Sequence, residues 1–273
     1  MSRKLCRWLA MSFCLVGMNL ANAGVSNATV DRLFELSGLS AQVGYFPEMV
    51  VTGLDQAAEQ GGAMPREDYD LIVTSVERAV VPADILAAVR FALRSSLSEE
   101  DAEFLLDWYR SPIGRRVTLA EEHASSPQGY ANSMAQGGTI EDPDRIAHAE
   151  RLEKLMGLTD FTIAVQENTS VAVYAGVLAA LQPHQPTDLE AIKLQVRGLL
   201  QQSRPAIHQA VVQSSAYSYR DISLGDLDAY VRFLEDPRTQ RFNDRVMAGL
   251  GGGLEDSVAR LGTLLGQAFS QRR

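Results

Sequence analysis

The chain has 273 residues and a formal net charge of −9, from 25 Lys+Arg against 34 Asp+Glu. At 46% hydrophobic and 22% charged residues it is too apolar and too weakly charged to be wholly disordered. The acidic balance argues against a nucleic-acid binder, because neutralising phosphates takes a basic face.

Residues 1–23 read as a cleaved secretory signal. Arg3, Lys4 and Arg7 form a short positive stretch, and Trp8–Leu20 is an apolar run too short for a membrane span. Ala21-Asn22-Ala23 then supplies the small residues of a peptidase site, and bulky Phe13 before Cys14 speaks against a lipoprotein. The segment holds three positive charges and no acid, so its removal takes the net charge from −9 to −12. Cys6 and Cys14 leave with it, and the expected mature chain has no disulfide, thiol nucleophile or thiolate metal site. The expectation is a periplasmic or secreted protein with no membrane span after cleavage.

The mature chain reads as all-α. Apolar residues recur at helical spacing: Tyr69, Ile72, Val73 and Val76 within Pro65–Val80, then Ile85, Val89, Ala92 and Leu93 within Pro82–Leu93. Leu189, Ile192, Val196, Leu199 and Leu200 form a third stripe in Asp188–Leu200, opened by a Thr187/Glu190 capping box. The Gly249–Gly253 run reads as a helix stop before a last helix near Leu254, whose stripe is Leu254, Val258, Leu261, Leu265 and Phe269. That helix packs on its own bundle or docks on another subunit.

An internal repeat organises these helices. Arg32–Ser40 resembles Arg151–Thr159: a leucine-rich turn, a glycine suited to end a helix, then a hydroxyl residue. Farther on, Ser98/Asp101 corresponds to Ser223/Asp226, and Ser111-Pro112 to Asp236-Pro237, each pair at an offset of 125 residues. Both copies show a cap, an apolar stripe, a cap with proline and a new helix. The expected organisation is two tandem helical bundles from an internal duplication: 24–125, a linker or bridge at 126–142, and 143–273.

Trp108-Tyr109-Arg110-Ser111-Pro112-Ile113-Gly114-Arg115 resembles the bacterial exported domain of unknown function 2059 family. Its hallmark is an aromatic pair near S-P-x-G followed by a basic residue. The resemblance covers residues 30–125 well and the second half as a diverged repeat, where Phe233 keeps an aromatic and Thr239 replaces the glycine. It implies an exported all-helical domain and lends no catalytic residues.

Chemistry-bearing patterns are few. His123, His148, His184 and His208 lie neither three nor four residues apart, and no nucleophile elbow, S-x-x-K or Walker A motif is present. No catalytic residue, metal ligand or cofactor is therefore assigned, and the absence of these motifs points away from an enzyme. Glu121-Glu122-His123 reads as a solvated helix end, and Trp108-Tyr109 as core. Arg110, Arg115 and Arg116 surround a predicted helix N-terminus and are the candidate ligand-binding residues, since guanidinium and helix N–H groups hold anions. Pairing with acids such as Asp107, Glu121 or Glu122 is the alternative.

Two functions fit. One is a non-catalytic envelope module for interaction or assembly, with a protein partner or a second copy. The other is a binder of a small anionic or amphipathic molecule in a cleft between the bundles.

Overall fold

A computed structural model describes residues 24–61, 65–135, 139–181 and 189–271. Residues 1–23, with the signal reading, lie outside it, as do Thr187 of the capping box and His184. The described residues are helical throughout, with a single isolated bridge between Gly24 and Ser98. The first half comprises α1 (Asn27–Leu36), α2 (Leu39–Gly44), α3 (Phe46–Gly61), α4 (Arg66–Ala79), α5 (Pro82–Arg94), α6 (Glu99–Arg110) and α7 (Pro112–Ser125). A short α8 (Pro127–Ala135) follows, then α9 (Pro143–Met156), α10 (Leu158–Leu181), α11 (Leu189–Ser218), α12 (Leu224–Glu235) and α13 (Pro237–Ser270).

Caps set the breaks. Ser98 Oγ accepts from the Asp101 N–H and Ser223 Oγ from the Asp226 N–H, both at 3.1 Å. Ser111 Oγ accepts from the Gly114 N–H at 3.0 Å, and Asp236 from the Arg238 N–H at 2.9 Å. Asp142 caps α9, with proline at the first position. Among the described residues, Gly38 (φ 73°) and Gly157 (φ 66°) alone take positive φ, and they are the two glycines of the Arg32–Ser40 and Arg151–Thr159 segments.

One core runs through both halves. Leu33, Ile85, Val89, Leu93, Leu105 and Leu106 from the first half join Leu227, Val231, Leu234, Leu261 and Leu265 from the second. The α6–α7 and α12–α13 turns meet reciprocally, α7 touching α12 and α6 touching α13. Arg116 pairs with Asp226 at 2.7 Å, and Arg241, 125 residues on, pairs with Asp101 at 3.0 Å. Trp108 and Phe233, also 125 residues apart, stack at 4.4 Å and 7°.

Two expectations are corrected. The Gly249–Gly253 run does not stop a helix: α13 passes straight through it and packs along α5. A Cβ on Gly249 would lie 2.5 Å from the Val89 Cα, and one on Gly253 2.8 Å from the Ile85 Cα. These glycines let two helix backbones approach. The last helix thus packs within its own chain, with Leu261 and Leu265 buried. The helix expected over Asp188–Leu200 also runs on to Ser218, through Pro205. Val212 and Ala216, buried against Ala149, anchor its far part.

Candidate functional site

The site grows from one face of α7. Gly114, Val117 and Thr118 are buried on that face, and Glu121 falls four residues after Val117 on the same stripe. The helix therefore carries a carboxyl inward. Its Oε1 accepts hydrogen bonds from the Tyr219 and Tyr230 hydroxyls, each at 2.7 Å. Tyr230 sits on α12 and is 5% exposed; Tyr219 lies in the turn before it and is 6% exposed. Arg145 on α9 holds that turn, donating to the Tyr219 carbonyl at 2.6 Å and the Ile222 carbonyl at 3.0 Å. An acid from one half is thus held by two phenols from the other.

Burial raises the Glu121 pKa above the ordinary glutamate value, and the charge of Glu122 adds to it, while the two tyrosine hydrogen bonds pull it down. The Tyr109, Tyr219 and Tyr230 hydroxyls are all pushed up, first by burial and then by the negative charge of Glu121.

Glu121 stands at the junction of two spaces. The inner one is a cavity of about 240 Å³ between α2, α7, α10, α12 and α13. Leu39, Val43, Phe161, Phe242, Val246 and Leu250 supply apolar wall. The outer one is a cleft of about 780 Å³ reaching along α11. Gln42, Phe46, Glu121, Ser125, Met156 and Leu158 border both. Glu121 is half-buried by accessible surface because it faces these spaces, while its carboxyl is packed among the tyrosines.

Ser37 and Asn243 also border the inner cavity, with one polar atom of each shielded from it. Ser37 Oγ and Asn243 Nδ2 are buried atoms with no hydrogen-bond partner in the protein. Such atoms are uncommon in native interiors, since each costs about 1–3 kcal/mol when unpaired. The residues lining the inner cavity include no lysine, arginine, histidine or cysteine. The arrangement offers hydrogen bonds and one carboxyl within a largely apolar wall. Two other depressions, beside α4 and beside Gly24 and Phe91, are open grooves without an unpaired buried polar atom.

The three arginines singled out from the sequence lie elsewhere. Arg110 donates to Glu103 at 3.2 Å and Asp107 at 3.1 Å, Arg116 pairs with Asp226, and Arg115 is exposed. None of them lines the inner cavity. Trp108 and Tyr109 pack on Phe233, and Tyr109 also borders the cavity. Glu121, read from the sequence as part of a solvated helix end, is the residue that reading missed. The signal was its register on the stripe of Gly114 and Val117. Among the described residues no group of three His, Cys, Asp or Glu is placed to hold a metal, and no helix is long and apolar enough to cross a membrane.

Comparison of the chain with known protein families, curated proteins and solved structures finds no match.

Proposed function

We propose that this protein binds one small amphipathic molecule in the cleft between its two halves. The observation that carries this reading is Glu121, whose carboxyl, held by the Tyr219 and Tyr230 hydroxyls, borders a largely apolar cavity. A concave apolar space with a few convergent polar groups is the usual form of a small-molecule site. The cavity takes its walls from both halves, which supports binding as the use of their close packing. The signal-like residues 1–23 and the family resemblance support export to the periplasm or beyond. The reciprocal contacts of α6–α7 with α12–α13 support an internal duplication as the origin of the architecture.

The assembly reading draws on Phe91, Leu119 and Leu194, which are 81%, 63% and 73% exposed. Phe91 and Leu119 lie singly on α5 and α7, while α11 carries Leu194 and also Leu199, five residues apart and so on different faces; scattered exposed apolar residues are ordinary. The cleft is the better supported site.

Titration with the neutral fluorophore prodan tests the reading. Saturable one-to-one binding is expected, and it is lost in Val246→Trp, which fills the cavity. Ser125→Phe, at the junction of cavity and cleft, serves as a second block if Val246→Trp does not fold. Binding that never saturates, or that persists in the folded variant, overturns the proposal.

A further inference from the structure

The binding reading leaves the ligand's charge open, and the cavity wall speaks to it. Among the described residues lining the inner cavity, Glu121 is the one with a titratable carboxyl and none carries a cation. Among the described residues no Arg, Lys or His forms an ion pair with it; its hydrogen bonds come from two neutral phenols. Both phenols donate to Oε1, so Oε2 is the oxygen they leave to other donors. A lone acid in an apolar interior is costly to ionise unless a cation arrives with it. In the inner cavity an anionic ligand would meet a carboxyl and, among the described lining residues, no cation; Arg220 and His123 border only the outer cleft.

The rest of the wall suits a cation with an apolar body. Phe46, Tyr109, Phe161, Tyr230 and Phe242 are among the residues lining the cavity, and aromatic side chains can attract ammonium groups. At about 240 Å³ the inner cavity is smaller than most ligand pockets, which start near about 300 Å³, and so fits a small molecule.

Resting on the cleft-binding reading, we propose that the ligand is a small apolar monoamine, held as its ammonium ion by Glu121. Glu121 is then the counter-ion, Tyr219 and Tyr230 fix its carboxyl from behind, and the aromatic wall holds the body. The anionic class expected from Arg110, Arg115 and Arg116 gives way to a cationic one, because those side chains are outside the cavity and two of them are engaged by acids.

Isothermal titration calorimetry with three ligands of one frame tests this: 2-phenylethylamine, 2-phenylethanol and 3-phenylpropionate. The amine is expected to bind about tenfold or more tightly than the alcohol, the return from one desolvated charge pair, with the carboxylate weakest. Glu121→Gln keeps the shape and an acceptor for the tyrosines, and is expected to weaken the amine about tenfold or more and the alcohol less, erasing the amine's advantage. An alcohol or carboxylate that binds as tightly as the amine overturns the inference, as does an amine indifferent to Glu121→Gln. If the alcohol binds, is blocked by Val246→Trp and equals the amine, the cleft reading stands and the amine inference falls. If neither prodan nor any of the three binds, both fall.

Discussion

The α6–α7 turn and the α12–α13 turn share a scaffold and differ where they face the cavity. Their caps, their stacked aromatics and their exchanged ion pairs correspond at an offset of 125 residues. At the same offset Glu121 corresponds to Val246, Ser125 to Leu250 and Thr118 to Asn243, and five of those six residues line the inner cavity. Thr118 is buried and turns instead to the Leu36 carbonyl, at 3.5 Å. Symmetric packing thus builds the cavity, and asymmetric side chains make one wall acidic and the other apolar. Positions matched between the halves report on the fold; positions that differ report on the site.

The largest expected effect breaks the matched aromatics. Trp108→Ala and Phe233→Ala should each cost about 3 kcal/mol in chemical denaturation, because each removes half of one stack. A double-mutant cycle should return a coupling of about 1 kcal/mol; strict additivity would mean that the two halves do not support each other there.

The glycine run in α13 comes next. Gly249→Ala should cost about 2 kcal/mol, since its Cβ has no room beside Val89. Gly251→Ala meets nothing within 4 Å and should stabilise by up to about 1 kcal/mol, the ordinary gain in helix propensity. Equal effects at the two positions would place the glycines in a flexible join, contrary to the continuous helix.

The two proline turns differ in their caps, and pH separates them. Ser111→Ala and Asp236→Ala should each cost about 1 kcal/mol at neutral pH. The Asp236 carboxyl is held down to a pKa of about 2, first by its hydrogen bonds from the Arg238 side chain and N–H. Its contribution is complete above the ordinary aspartate value and is lost as the pH falls through about 2. The cost of Asp236→Ala should therefore shrink in acid while that of Ser111→Ala stays constant. The smallest effect belongs to the exchanged ion pairs. Arg116→Ala and Arg241→Ala should lower the melting temperature slightly and equally, and less so in high salt, because both pairs are open to water.

Much of the helical frame was legible because its signals are local. Ser98, Ser111, Asp142, Ser223 and Asp236 announce helix starts, and each caps one. The glycines at 249 and 253 were misread because their reason lies in α5, more than 150 residues earlier in the chain. The site was hidden for the same cause. Nothing near Glu121 in sequence names Tyr219 or Tyr230, and a Glu-Glu-His run looks like a solvated surface until its register on a buried face is counted. The arginines misled in the other direction, since a cluster of charge in sequence said nothing of the acids that meet it in space.

Ionising Glu121 in the folded protein works against burial. Its contribution to stability is full below the ordinary glutamate value and is lost as the pH rises through its raised folded value. The most direct measurement is a carbon-13 NMR titration of the Glu121 carboxyl, assigned by comparison with Glu121→Gln, with and without saturating 2-phenylethylamine. The expected result is a pKa above that of ordinary glutamates in the free protein, falling when the amine binds, because a nearby ammonium favours the charged form. A carboxyl that titrates normally when free, or that the amine leaves unmoved, would contradict a buried acid serving as the counter-ion of the cleft.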